Sequence, residues 1–187
     1  IDIVHERGGF ASMRSADSGQ ERVYELNISL FSAFGGAPED LNAYVGAHQL
    51  LLAYQGVPGL YLNALLGTAN DYQQMEITGR MRSINRGHWQ LHDATAALQD
   101  TDSHHAKVFH ALTASMQLRG EQSAFAPAAA QTFIDGSNEH LMFLRHDKYQ
   151  RILVIASFAP RSQTLAWPEG VLEPYQAVVK DLLSART

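Results

Sequence analysis

The hydrophobic and polar positions predict three kinds of local structure in the first third of the chain. Residues 5–22 are polar and rich in glycine and serine, which predicts a long loop. Residues 23–31 alternate between apolar and polar side chains, which predicts an extended strand. Residues 38–55 place apolar side chains at helical spacing behind Pro38, a residue favoured in the first turn of a helix. We therefore expect a loop, a strand and an amphipathic helix in that order.

The residues after this helix predict a second strand and, further along the chain, a second helix. An apolar run at 60–62 predicts a short strand that is buried on both faces. Strand, helix and strand in this order are typical of a parallel βαβ unit. Residues 67–101 are polar and irregular. A second helix is predicted to begin at Asp102 or Ser103, either of which can cap it, and to run to about Arg119.

Beyond Pro127 the spacing changes to that of short strands separated by turn residues. This pattern indicates an antiparallel sheet or sandwich and divides the chain near residue 125 into an α/β part and an all-β part. The predicted strands are 132–134, 141–145, 152–158, 163–166 and 175–183.

Composition narrows the functional classes. The chain has 187 residues, is 45% hydrophobic and has a net charge of −5. Without a basic excess, a dedicated nucleic-acid binder is not expected. No apolar run approaches the roughly 20 residues that cross a bilayer, so no membrane partner is expected. The absence of cysteine excludes a disulfide scaffold and a thiolate zinc site, and it is compatible with a cytoplasmic location.

Candidate chemistry concentrates in residues 67–89, directly after the predicted strand at 60–62. Loops at the carboxyl ends of parallel strands carry the active sites of α/β folds. Guanidinium groups offer several donors in a fixed fork, which suits sugar hydroxyls, carboxylates and phosphates. The alternative is that these arginines pair with neighbouring carboxylates and only hold the loop together. The polar side chains of this segment include Arg80, Arg82, Arg86, Asn70, Asp71, Tyr72, Asn85 and His88.

Other polar residues give weaker signals. Arg7 and Arg14 lie in the predicted loop 5–22, which is either a mobile flap over an acceptor or a solvated connection. His104 and His105 are adjacent, so they point to different helix faces, and no metal or other cofactor is expected. His48 falls on the apolar face of the first helix and is predicted to be an interior histidine. The residues alone thus predict a substrate-facing surface without a complete catalytic apparatus.

Two long segments show a resemblance to a known family. VYELNISLFSAFGG and QGVPGLYLNALLGTANDYQQMEITGRMRSINRGHW resemble the C-terminal third of sucrose-phosphorylase-like enzymes in glycoside hydrolase family 13, within the alpha-amylase superfamily. The similarity is greatest to the branch that contains glucosylglycerate phosphorylase and sucrose 6-phosphate phosphorylase, and it covers essentially the whole chain. It implies that residues 1–125 are the last βα units of a TIM (β/α)8 barrel, with 60–62 as its eighth strand. Residues 126–187 would be a truncated C-terminal β domain.

The resemblance also implies an activity. Such enzymes are retaining α-glucoside phosphorylases, in which an aspartate attacks the anomeric carbon and a glutamate protonates the leaving oxygen. Phosphate then releases α-glucose 1-phosphate, so the implied partners are a sugar substrate and inorganic phosphate. The catalytic carboxylates of the family lie on earlier barrel strands, and we therefore expect them to lie upstream of Ile1. A whole barrel takes ~250 residues, and we therefore expect this chain to be an inactive fragment.

Individual residues take roles from the same resemblance. Arg82, in RSINR, matches the family arginine that contacts the glucosyl unit. Asn70, Asp71 and Tyr72 would border that donor subsite, while Arg7 and Arg14 would face the acceptor and phosphate. An incomplete barrel further implies self-association or pairing with the missing barrel fragment. Two alternatives stay open: a fragment of a hydrolase or transglucosidase of the same family, or a non-catalytic carbohydrate-binding or structural domain.

Overall fold

A computed structural model of the chain describes residues 1–15, 19–135, 137–166 and 180–183. Its contacts form two compact units. The first comprises Ile1–His48 with Gly59–Thr113, and the second comprises Gln49–Pro58 with Ala114–Thr187.

The first unit opens with elements where a loop was predicted. Helix α1 spans Asp2–Glu6, and strand β1 spans Phe10–Ser15. Strand β2, Glu21–Asn27, pairs antiparallel with β1. The loop prediction for 5–22 is therefore wrong. Neither strand of this hairpin has a continuous buried face, so β1 lacks the alternation of apolar residues by which strands are recognised.

The predicted strand at 23–31 is confirmed only as far as Asn27. Its partner runs antiparallel, so it is not the first strand of a parallel βαβ unit. Helix α2, Leu30–Ala33, follows because the side chain of Ser29 accepts a hydrogen bond from the backbone N–H of Ser32 and caps the helix.

The two long helices are confirmed. A 3₁₀ turn at Pro38–Asp40 leads into α3, Leu41–Ala53. Helix α7, His104–Glu121, begins after Ser103, whose Oγ accepts a hydrogen bond from the N–H of Ala106 at 3.0 Å. The side chains that form the core of the first unit are Phe31 from α2, Tyr44 from α3, and Val108 and Leu112 from α7.

The predicted strand at 60–62 does not form. Tyr61 and Leu62 are 57% and 60% exposed, and Tyr61 is the N-cap residue of helix α4, Leu62–Leu65. A three-residue apolar run is too short to separate a strand from a helical turn. A barrel strand also pairs with a neighbour on each side, and the described residues supply no partner here. The parallel βαβ unit is therefore absent from the part of the chain that the structure describes.

The segment predicted as irregular contains short helices. Helix α5 spans Tyr72–Thr78 and ends at Gly79, whose φ of 64° is left-handed. A 3₁₀ turn spans Met81–Asn85, and helix α6 spans Leu91–Gln99. Neither α5 nor α6 has a buried residue, so neither shows the apolar stripe that predicts a helix.

The second unit contains the predicted antiparallel sheet. Strands β3 (Ala130–Ile134), β4 (His140–His146) and β5 (Arg151–Ser157) lie in the order β3-β4-β5. They match three of the five predicted strands. Residues 163–166 are not a strand, and 180–183 are not either, while 175–179 lie outside the described residues. The core of this unit consists of Ala53, Phe125 and Phe143.

A buried arginine fixes the second unit. Arg145 on β4 is fully buried, and its guanidinium donates to the carbonyl oxygens of Ala53 at 2.7 Å and Ala126 at 2.9 Å. Burial lowers the pKa of Arg145, and the nearby charge of Arg119 lowers it further. Both guanidiniums lie within 5.8 Å of the ring centre of Phe125. Arg145 thus serves the fold of this unit.

Candidate functional site

The segment that contains the predicted site residues is held at its start by two histidines. His105 Nδ1 lies 2.6 Å from the carbonyl oxygen of Leu66, and His104 Nε2 lies 3.1 Å from that of Gly67. Because a carbonyl oxygen only accepts, each ring nitrogen is the donor. Burial lowers the pKa of His104, and the neighbouring His105 lowers it further, so both effects favour the neutral imidazole.

Asn70 joins this segment to helix α2. Its Oδ1 accepts a hydrogen bond from the N–H of Ser29 at 2.8 Å, and its own N–H donates to the Oγ of Ser32 at 3.0 Å. A side-chain bond and a backbone bond to the same turn fix both the position and the orientation of Asn70.

Tyr72 and Arg7 lie beside Asn70. The Nδ2 of Asn70 donates to the Oη of Tyr72 at 3.3 Å, and Tyr72 Oη donates to the carbonyl oxygen of Gly8 at 3.1 Å. Nδ2 also lies 3.4 Å from the carbonyl oxygen of Arg7, whose guanidinium donates to the carbonyl oxygen of Ala33. Gly8 has a φ of 74°, and a Cβ there would overlap Tyr72 Oη, so the turn requires glycine. The structure therefore brings together Arg7, Asn70 and Tyr72.

Asp71 has a local structural role. Its Oδ1 accepts a hydrogen bond from the N–H of Gln74 at 2.8 Å and caps α5, while its N–H donates to the carbonyl oxygen of Ile84 at 2.7 Å. The second bond ties the start of α5 to the 3₁₀ turn that contains Arg82.

Arg82 and Arg14 lie elsewhere on the first unit. Arg82 Nη2 is 2.9 Å from Glu25 Oε2 on β2, and the two side chains are 44% and 30% exposed. The guanidinium of Arg14 lies over the ring of Tyr24, 5.6 Å from its centre. Among the described residues no hydrogen bond or ion pair joins either arginine to Asn70.

The structure also contains a groove that the sequence did not predict. This depression of ≈ 530 Å³ has one wall from residues 68–73 and another from residues 87–89, Asp93 and His105. Trp89 Nε1 donates to Thr68 Oγ1 at 2.9 Å, a bond that joins the two walls. In the sequence, His105 was considered only as a possible metal ligand. The one sequence signal for Trp89 is its place at the end of the family-like segment.

Two further sequence expectations concern metals and interior histidines. No three His, Asp or Glu side chains among the described residues are grouped so that they could bind a metal ion. His48 is 3% exposed with Nδ1 2.9 Å from the carbonyl oxygen of Tyr44, which confirms it as an interior residue. Within the described ranges, no helix combines the length and the hydropathy that crossing a bilayer requires.

Comparison with known proteins identifies several relatives, although no family model matches the chain. Glucosylglycerate phosphorylase from Spirochaeta thermophila is 28% identical over 91% of this chain and 30% of its own length. The enzyme of the same name from Allomeiothermus silvanus is 29% identical over 92% of this chain and 34% of its own length. That from Escherichia coli K12 is 28% identical over 76% of this chain and 26% of its own length.

A solved structure shows the same fold. The crystal structure of sucrose 6F-phosphate phosphorylase from Thermoanaerobacter thermosaccharolyticum superposes with a TM-score of 0.70 and 22% identity, over 84% of this chain and 30% of that protein. The chain therefore spans about a third of the length of the relatives it matches. These similarities confirm the resemblance noted in the sequence and fit a C-terminal sucrose-phosphorylase-like region.

Proposed function

We propose that this chain is a fragment of a retaining α-glucoside phosphorylase of glycoside hydrolase family 13. The complete enzyme would transfer a glucosyl unit from a sucrose-like or glucosylglycerate-like donor to phosphate and form α-glucose 1-phosphate. The observation that carries this proposal is the match of 91% and 92% of the chain to two glucosylglycerate phosphorylases.

The proposed architecture assigns residues 1–125 to the end of the (β/α)8 barrel and 126–187 to the C-terminal β domain. The fold likeness at a TM-score of 0.70 supports it.

The proposed donor subsite centres on Arg82. Its guanidinium is partly exposed and already oriented by Glu25, so its remaining donors could bind glucosyl hydroxyls. Asn70, Asp71 and Tyr72 would border this subsite. Their bonds to neighbouring backbone would keep the loop in one conformation before substrate arrives.

Arg7 and Arg14 are proposed on the acceptor and phosphate side. Positive charge there would favour phosphate or the carboxylate of glycerate. Support differs between the two residues. The backbone carbonyl oxygen of Arg7 lies 3.4 Å from Asn70 Nδ2, whereas Arg14 is an exposed residue of the hairpin.

The proposed reaction uses two carboxylates of the longer enzyme. One attacks the anomeric carbon while the other protonates the departing oxygen, and phosphate then displaces the enzyme carboxylate with retention. We propose that this chain contributes substrate contacts and no catalytic residue, so that alone it turns over no glucoside. Self-association or pairing with the remaining barrel fragment, and a cytoplasmic location, belong to the same proposal.

The test of this proposal is an acceptor panel with the full-length protein. Glucose 1-phosphate is incubated with D-glycerate, glycerol, fructose or fructose 6-phosphate, and released phosphate is measured. We expect phosphate release with one acceptor well above the others. Release of phosphate and free glucose at the same rate without any acceptor would instead identify a hydrolase.

A further inference from the structure

Two histidines at the start of α7 bind the connection, residues 66–68, that leads from α4 into the polar segment, and they use different ring atoms. His105 donates from Nδ1 to the carbonyl oxygen of Leu66 at 2.6 Å. His104 donates from Nε2 to the carbonyl oxygen of Gly67 at 3.1 Å. Two consecutive residues of one helix thus bind two consecutive carbonyl oxygens of the connection.

These carbonyl oxygens need donors from outside their own segment. In a continuing α-helix they would accept hydrogen bonds from the N–H groups of Asn70 and Asp71, four residues further along. Those N–H groups instead donate to Ser32 Oγ at 3.0 Å and to the carbonyl oxygen of Ile84 at 2.7 Å. The bonds that place Asn70 and Asp71 in the candidate site therefore remove the helical partners of the two oxygens, and the histidines replace them.

Both imidazole rings are packed against other aromatic side chains. The ring of His104 stacks on that of Phe31 with centres 4.7 Å apart, and the ring of His105 meets that of Trp89 edge to face at 5.0 Å. Trp89 Nε1 in turn donates to Thr68 Oγ1 at 2.9 Å. Because Thr68 belongs to the connection, a shift of the connection would lengthen or break this bond. The indole N–H of Trp89 therefore reports on the backbone that the histidines hold.

We propose that His105 and His104 are positioning residues of the candidate site, and that each holds the connection through one ring N–H, at Nδ1 of His105 and at Nε2 of His104. The role rests on the proposed function, in which Asn70, Asp71 and Tyr72 border the donor subsite. Neither histidine is a catalytic residue in this role, because each acts through the backbone of the connection.

The two histidines should accept opposite substitutes. In asparagine the amide nitrogen is one bond beyond Cγ, as Nδ1 is in histidine, whereas in glutamine it is two bonds beyond Cγ, as Nε2 is. Asparagine should therefore replace His105, and glutamine should replace His104. Two residues that only filled space would show no such reversal between the two positions.

The first measurement is the indole N–H signal of Trp89 in NMR spectra of the 187-residue chain. The chain contains two tryptophans, so Trp167→Phe leaves one indole signal. His105→Asn and His104→Gln should keep its chemical shift and its slow exchange with solvent. His105→Gln and His104→Asn should shift the signal and speed the exchange on the order of tenfold, the size expected for one lost hydrogen bond.

The second measurement is kcat/KM for phosphorolysis by the full-length protein with the same four substitutions. His105→Asn and His104→Gln should keep kcat/KM within about twofold of the parent, and the other two should lower it on the order of tenfold. His110→Asn and His110→Gln are the controls, because His110 is an exposed histidine of the same helix. They correct for the different helix preferences of the two amides, and both should behave as the parent does.

Equal effects of asparagine and glutamine at either position, whether large or absent, would overturn the assignment for that histidine. A reversal in the Trp89 signal without one in kcat/KM would overturn the positioning role. A full-length parent that forms no glucose 1-phosphate would refute the proposed function instead, and the Trp89 signal would then decide alone whether the histidines hold the connection.

Discussion

Arg82 offers a direct choice between the two interpretations of the arginines in residues 67–89. One holds that Arg82 only anchors the loop through Glu25, and the other that it binds the glucosyl unit of the donor. The ion pair is 2.9 Å long, but its side chains are 44% and 30% exposed. Ion pairs in such surroundings contribute ~0.2–1 kcal/mol to the free energy of unfolding. Arg82→Ala should therefore lower the stability of this chain by less than about 1 kcal/mol.

The effect on catalysis should be larger if Arg82 contacts the donor sugar. Losing a charged contact in the transition state should lower kcat/KM by on the order of 10²-fold, which corresponds to about 2.7 kcal/mol. In Arg82→Ala, the loss of transition-state stabilisation should thus be about three times the loss of folding stability or more. A loop anchor would instead change both quantities by similar small amounts.

The assay pairs denaturant unfolding of the 187-residue chain with phosphorolysis kinetics of the full-length protein. Arg80→Ala is the matched control, because Arg80 is an exposed arginine of the same segment. Glu25→Ala removes the partner and should repeat the small stability loss. An unchanged kcat/KM in Arg82→Ala would refute the substrate role. A stability loss above about 3 kcal/mol would refute the treatment of the pair as an exposed one.

Three further predictions concern the fold and its pH dependence. Arg145→Met leaves the carbonyl oxygens of Ala53 and Ala126 without their buried donor and should lower the free energy of unfolding, measured with denaturant, by about 3 kcal/mol or more. The control Arg161→Met lies at an exposed site and should change it by under about 0.5 kcal/mol. Equal effects of the two substitutions would contradict the structural role of Arg145. The lowered pKa of His104 means that the unfolded chain binds more protons between that pKa and the unfolded value, so stability should fall as the pH drops below about 6.5, by up to ~1.4 kcal/mol per pH unit. His104→Gln should remove this component and His110→Gln should keep it, and the same pH profile in all three proteins would refute the assignment. The isolated two-stranded hairpin and the exposed apolar side chains should both favour self-association of the chain. A monomer in sedimentation at high concentration would contradict this.

The sequence pattern predicted the helices and strands whose buried side chains recur at regular spacing. Helices α3 and α7 place Tyr44, Val108 and Leu112 on buried faces, and Ser103 caps α7 as its side chain suggested. Strands β3, β4 and β5 are bounded by turn residues, and β4 and β5 contribute side chains to one core. In each case a local rule and the tertiary packing agree, which is what allows a single sequence to be interpreted.

The remaining elements depend on contacts that no local pattern contains. Strand β1 is held by pairing with β2 and has no continuous apolar face. Residues 60–62 pair with no strand among the described residues, and Tyr61 is instead the N-cap residue of α4. Long-range contacts also shape the candidate site. Arg82 pairs with Glu25, 57 positions away, and Trp89 and His105 meet only after folding.

Phosphate dependence tests the central claim most directly. Full-length protein containing this chain is incubated with glucosylglycerate, with and without inorganic phosphate, and glucose 1-phosphate and free glucose are measured separately. The account predicts glucose 1-phosphate in proportion to the phosphate supplied and little free glucose. Release of free glucose at a rate independent of phosphate would contradict it.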